Sequence, residues 1–162
     1  MSEITYKLMK ATDVEEYASD LKLMLQKTLE DNIEQKFPST LAEEYVTKMP
    51  GYIDDGSAII IGAFDEKKIV GFLWGYEVHV FDERRVHNAE NHVLAEYRGK
   101  GIAKEMLEHL EEEAKKRGIC ILEAMCTASN QGAYNYHVKN GYKVERIKFK
   151  KVLVNSFSDN EE

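Results

Sequence analysis

The stretch AEYRGKGIAKEML, residues 95–107, sets Arg98, Gly99, Lys100, Gly101 and Lys104 where a strand-like run hands over to an amphipathic helix. A helix start leaves its first N–H groups unpaired and carries about half a positive charge. Glycines there let ligand oxygens approach the bare backbone closely. The three cations supply a local field, which outweighs the net charge because charges beyond a Debye length, about 8 Å at physiological salt, are screened. Such a turn suits a polyanion, for example a pyrophosphate. A P-loop would need G-x-x-x-x-G-K-[ST], and a dinucleotide fingerprint would need a third glycine where Lys104 stands; neither is present. A tight strand–helix turn with solvated cations is the structural alternative.

Two further stretches carry titratable side chains. HNAENHVL offers His87, Glu90 and His92, and NQGAYNYHVKNG offers Tyr134, Tyr136 and His137. In a regular strand Glu90 and His92 share one face and His87 and Asn91 the other, and one bulge would exchange those faces. Trp74, Tyr76 and Glu77 could shape an acceptor pocket or simply belong to the core. His79, His87 and His92 lack ligand spacing with a fourth partner and H-E-x-x-H is absent, so no metal is expected.

The elements that must position these groups are legible as periodicity. Residues 3–9 alternate as a first strand. Thr12-Asp13-Val14-Glu15 reads as a capping box opening a helix whose apolar stripe runs to Leu29. A short helix over Thr40–Lys48 ends at MPGY. Residues 57–81 read as a hairpin turning at Asp65–Lys68, DERR as a second turn and 87–95 as the next strand. Ile102, Ala103, Met106, Leu107, Leu110 and Ala114 form one helical face, stopped by Gly118. Then come a strand over 120–128, a helix over 130–141, a last strand over 142–154 and a polar tail over 155–162 expected to fray. The order predicts an α/β domain over residues 3–154, built on a single mixed central sheet flanked by helices. The strands either side of the 101–117 helix should be parallel, through a right-handed crossover.

The 162 residues suffice for one domain with a sizeable core, and 43% apolar with 31% charged residues is an ordinary globular balance. A net charge of −7 argues against a nucleic-acid binder and suits a cationic substrate. No apolar run approaches the ~20 residues of a membrane span, and the start lacks a signal peptide's regions, so a cytoplasmic protein without membrane partners is expected. Cys120 and Cys126 would lie on one face of a strand, too far apart to bridge, as reduced and mostly buried thiols.

VLAEYRGKGIAKEML resembles the acyl-CoA-binding segment of the GCN5-related N-acetyltransferase (GNAT) family, [QR]-x-x-G-x-[GA], with Arg98, Gly101 and Ala103 at its fixed positions. A second family element, A-x-x-[LF]-Y-x-K-x-G-[FY], is matched in register by Ala133, Tyr136, His137, Lys139, Gly141 and Tyr142, preceded by Asn130. The resemblance implies a mostly antiparallel sheet with a splayed parallel strand pair, the acyl-CoA N-acyltransferase fold. It also implies acetyl-CoA as co-substrate. The backbone of Val93, Leu94 and Ala95 would pair with the pantetheine arm. The amides of Arg98, Gly99, Lys100, Gly101, Ile102 and Ala103 would take the pyrophosphate, and Asn130 would hold the cofactor arm.

The implied reaction is attack of a primary amine on the thioester. An amine of pKa ~10.4 is only about one part in 2,500 neutral at pH 7, so a base matters. Glu90, eight residues before Arg98, is the favoured base, beside His87 and His92. An N–H at Val93 or Leu94 would serve the oxyanion. Where the family usually carries a tyrosine acid this chain has His137, with Tyr136 or Tyr134 as substitutes and plain packing as the other reading. That departure keeps a non-catalytic acyl-CoA-binding or sensing module in play. The expected partner is a small-molecule or peptide amine acceptor, with a homodimer a possible state.

Overall fold

The computed structural model describes residues 3–154, so the tail over 155–162 lies outside the described residues. The elements are β1 (Ile4–Leu8), α1 (Ala11–Glu16), α2 (Ala18–Asn32), α3 (Leu41–Asp54), β2 (Ala58–Asp65), β3 (Lys68–Val80), β4 (Glu83–Val93), a 3-10 turn (Ala95–Tyr97), α4 (Ile102–Lys116), β5 (Leu122–Ala124) and α5 (Gln131–Lys139). The five strands form one sheet in sequence order. The first three pairings are antiparallel and β4–β5 is parallel, as the crossover through α4 requires.

The two faces of the sheet bury different partners. Ile60, Phe72 and Trp74 pack with Leu21, Leu25 and Leu29 of α2 and Met49 of α3. Ile59, Ile61 and Leu73, one residue out of phase, pack with Met106, Leu107 and Leu110 of α4. Side chains of this size stabilise by about 1.5–3 kcal/mol each when fully buried. At Gly75 the fit is close: a Cβ there would lie 3.0 Å from Leu110 Cδ1 and 3.1 Å from Val86 Cγ1. Glycine at 75 is what lets α4 seat against this part of the sheet.

Several local expectations are corrected. The first helix starts one residue before Thr12, with the Asp13 carboxylate accepting from the Lys10 N–H at 2.7 Å; the acceptor belongs to Asp13, not Thr12. Its stripe to Leu29 is broken at Tyr17 into α1 and α2. The helix expected to end at MPGY runs through Pro50 to Asp54, because a proline costs one hydrogen bond while Val46 and Met49 stay buried. The DERR turn shrinks to Phe81-Asp82, and β4 already begins at Glu83. The strand expected over 120–128 is regular only at Leu122–Ala124, and both Cys120 and Cys126 are exposed. Residues 142–154 form no strand, and Ile147, Phe149 and Leu153 are exposed. Alternation is satisfied by any extended segment and does not by itself supply a pairing edge.

Candidate active site

The turn before α4 has the backbone that its glycines predicted. Gly99 has φ +75° and Gly101 φ +80°, the left-handed region, and a Cβ on either would meet nothing within 4 Å. Glycine is therefore required by conformation, and open space surrounds it. Gly101 is the N-cap of the fifteen-residue α4, whose first turn leaves its amides without intrahelical partners. Ile102 is buried among the α4 core residues and anchors the helix start.

The cations are braced rather than loose. Arg98 Nε donates to the Val93 carbonyl at 2.9 Å. Lys100 Nζ donates to the Glu96 carbonyl at 3.1 Å and sits 5.1 Å from the centre of the Tyr97 ring. Lys104 lies 3.6 Å from Glu108, an exposed pair worth little. A pyrophosphate fits this turn: free first-turn amides, room for oxygens and positive charge at its edge.

The sheet opens beside that turn. β4 and β5 pair only from Val86↔Leu122 to Asn88↔Ala124, while β4 continues to Val93. The Leu94 N–H donates to Val70 of β3 at 2.9 Å, so it is engaged. Backbone groups alternate along a strand, which turns the Val93 N–H away from β3 to the open side. The Val93 carbonyl points there too, where Arg98 holds it. Ala95 is exposed in the 3-10 turn beyond the strand's end.

A bulge decides which side chains face the cleft. Asn88 pairs with Gly75 and Glu90 with Trp74, which leaves Ala89 as an extra residue in β4. As a result His87, Glu90 and His92 all lie on the face covered by α2 and α3, and Asn91 on the α4 face. The His87 ring lies tilted beside Tyr76, with centroids 5.1 Å apart, and its Nδ1 is 3.4 Å from Glu123 Oε2 of β5. The second Glu123 oxygen, Oε1, is buried without a partner. Burial pushes the Glu90 carboxyl up to about 7, opposed only by the amide of Asn32. Burial, reinforced by the Arg98 charge, holds His92 below the usual histidine value.

Asn130 is the N-cap of α5, its Oδ1 accepting from the Ala133 N–H at 3.0 Å, and its Nδ2 donates to Asn32 Oδ1 at 2.8 Å. Thr127 Oγ1 donates to the Asn32 carbonyl at 2.6 Å, so the end of α2 is tied to the segment between β5 and α5. On α5, Tyr136 donates its hydroxyl to the Ala103 carbonyl at 3.1 Å, and burial raises that phenol to about 12. His137 packs between the rings of Tyr136 and Tyr142, 5.4 and 5.0 Å away. Its Nδ1 is buried without a partner, and burial lowers its pKa. Tyr134 is exposed.

Four residues of this site lay outside the sequence reading: Thr28, Asn32, Tyr45 and Glu123. Glu123 had a visible signature, a lone charge in the apolar run CILEAMC. Thr28 reads as one position of the apolar stripe with nothing to mark its histidine partner, and Asn32 and Tyr45 carry no local pattern; the packing of α2 and α3 on the sheet sets Thr28 against His92 and Tyr45 against Trp74.

A glycine-turned helix start beside a parallel strand pair that parts is the architecture of an acyl-CoA N-acyltransferase. The acetyltransferase (GNAT) family model matches residues 22–142, and the chain belongs to that family. The uncharacterized N-acetyltransferase YycN of Bacillus subtilis (strain 168) is 30% identical over 89 residues, 55% of this chain. That match spans 57% of the relative's length. A predicted acetyltransferase from Clostridium acetobutylicum, solved with acetyl-CoA, superposes with a TM-score of 0.72 at 19% identity, over 93% of this chain and 97% of that one. The aminoglycoside N-acetyltransferase AAC(6')-Iy, solved with CoA, gives a TM-score of 0.74 at 14% identity, over 95% and 97%. At such identities these likenesses speak for the fold. No helix among the described residues is long and apolar enough to cross a membrane.

Proposed function

We propose that this chain transfers an acetyl group from acetyl-CoA to a primary amine. The observation that carries the reading is a half-buried carboxyl poised near neutrality, Glu90, on the strand that ends at the glycine turn. The amides of Gly99 to Ala103 would hold the pyrophosphate, the Arg98 N–H being spent on the Ala95 carbonyl at 3.3 Å, and the open edge at Val93 would pair with the pantetheine arm. Solved relatives holding acetyl-CoA or CoA support that assignment.

The chemistry follows from the groups present. With its carboxyl at about 7, Glu90 is about half ionised at neutral pH and accepts a proton from the incoming ammonium or from the attacking nitrogen. The amine nitrogen bonds to the thioester carbon and the carbonyl pair moves onto oxygen. The Val93 N–H donates to that oxygen, since the Leu94 N–H is spent on Val70. Collapse breaks the C–S bond and releases a thiolate of pKa near 8.5, which needs only modest help to leave. His137, kept neutral by burial, would donate a hydrogen bond from its ring N–H to the departing sulfur, and the thiolate would take its proton from solvent; Tyr136 is committed to Ala103. Tyr45, Trp74 and Tyr76 line the same face, with ring centres 5.6 and 6.0 Å from Trp74, and offer aromatic surface to a cationic acceptor.

Thiol release from acetyl-CoA across a panel of amines tests the reading, with Glu90→Gln as control. Turnover on at least one amine that falls at least about 10²-fold in Glu90→Gln is expected. Acetyl-CoA binding with no turnover on any amine would overturn it in favour of an acyl-CoA-binding module.

A further inference from the structure

Two stretches with the alternation of strands stand unpaired, and both lie on the open side of the sheet. β5 is its last strand, and among the described residues nothing pairs with the outer edge. Leu122, Glu123 and Ala124 are only half-buried, and Met125 is 76% exposed. Such an edge presents unpaired N–H and C=O groups to any strand that fits it. The second stretch is the arm over 143–154, every residue of which is exposed, with Phe149 at 87% and Leu153 at 82%.

The root of the arm is tied down. The Tyr142 N–H donates to the His137 carbonyl at 3.0 Å, and Glu145 accepts two hydrogen bonds from Arg85, at 2.7 and 2.9 Å. Arg85 precedes Val86, which pairs with Leu122 at the start of β5. The arm therefore leaves the body where β5 begins, and from there it stays exposed along its whole length.

The arm matches β5 in pattern and in charge. An extended backbone puts Arg146, Lys148 and Lys150 on one face and Ile147 and Phe149 on the other. β5 alternates likewise, with Glu123 on one face and Leu122 and Ala124 on the other. Side by side, the cations meet the face of Glu123, whose Oε1 has no partner, and the apolar residues meet that of Leu122. Residues 143–151 hold five cations and one acid in a chain of net charge −7, so the arm is drawn to the body of a second copy.

We propose that two copies of this chain exchange arms, residues 146–154 of each pairing with the open β5 edge of the other. The exchange is two-fold symmetric, so both arms and both edges are used and the assembly closes as a dimer. Main-chain hydrogen bonds hold the added strand, and the alternating side chains set its face. Paired on both sides, the run CILEAMC has the partner that its alternation calls for, and β5 lengthens beyond three residues.

Light scattering and sedimentation of the full chain should give twice the 18.7 kDa of one copy. Ile147→Glu combined with Phe149→Glu charges the apolar face and should return a folded monomer, raising the dissociation constant about a hundredfold or more. A cross-link decides the matter even where that variant fails to fold. One copy keeps Cys126 as its single thiol, through Cys120→Ser; the other carries Lys150→Cys with Cys120→Ser and Cys126→Ser. A short bismaleimide should join the two, β5 of one copy to the arm of the other. A monomeric wild type would overturn the proposal, as would a dimer that survives the double substitution or a mixture that gives no such cross-link. Monomers held by the same arm to duplex DNA or to acidic lipid vesicles would overturn it too, in favour of a polyanionic partner.

Discussion

The hydroxyl of Thr28 lies 2.9 Å from His92 Nδ1 and 3.0 Å from the Met24 carbonyl, and it has one proton for the two contacts. A carbonyl can only accept, so the proton goes to Met24 and the hydroxyl oxygen accepts from His92. His92 therefore carries its hydrogen on Nδ1, and its Nε2 is the free lone pair. Nitrogen chemical shifts should show the Nδ1–H tautomer at pH 7. Thr28→Val should release the ring and cost about 1–3 kcal/mol, because a buried donor loses its acceptor. A mixture of tautomers in the wild type would contradict this direction of donation.

Glu90 should oppose stability at alkaline pH. Its folded pKa is about 7, above the unfolded carboxylate value, so the folded state binds more protons between the two. Stability from this group is full below the unfolded pKa and is lost as pH rises through about 7. Glu90→Gln should accordingly be the more stable protein at pH 8, by about 2–3 kcal/mol, and show little gain at pH 4. Denaturant melts of the pair at several pH values measure the difference. His92 and His137, both depressed by burial, act in the other direction: they lose stability as pH falls through the unfolded histidine value. They are common to both proteins and cancel.

Gly101→Asp should abolish or weaken acetyl-CoA binding by tens-fold or more. The substitution sets a side chain at φ +80° and a negative charge where the pyrophosphate would lie. Gly101→Ala isolates the backbone part, with a smaller loss and about 1 kcal/mol of stability. Calorimetric affinity unchanged in folded Gly101→Asp would remove the turn from the binding site.

His137→Ala should lower kcat by about 10²-fold with acetyl-CoA affinity nearly unchanged, the pattern of a hydrogen-bond donor acting on the leaving sulfur. His137→Tyr should recover part of the loss. Full turnover of His137→Ala across pH 6–9 would reduce the ring to packing between Tyr136 and Tyr142.

The parts legible in the sequence were those coded by neighbours. Arg98, Gly99 and Gly101 announce their turn because positive φ and a helix start are local demands. The parallel pairing of β4 with β5 followed from one crossover helix. The bulge was different, since Ala89 is surplus only relative to β3, and nothing in HNAENHVL says where the partner strand slips. Asn32 and Asn130 lie far apart in the chain and meet only because α2 packs beside the segment that leads into α5. The strand expected over 142–154 misled because its alternation is real but no edge receives it. Cys120 and Cys126 mislead in the same way, since their apolar run reads as a long strand while only three of its residues pair.

Ala89 is best seen as a wedge. Removing it would leave Asn88 opposite Gly75 and Glu90 opposite Trp74, so every catalytic candidate would keep its face. What would change is the seam: a straightened β4 could go on zipping to the strand beside it, past the point where the two now separate. The surplus residue would then set the width of a slot rather than the identity of anything in it. A one-residue deletion at 89 would give a protein with all its chemistry in place and nowhere to put a thioester.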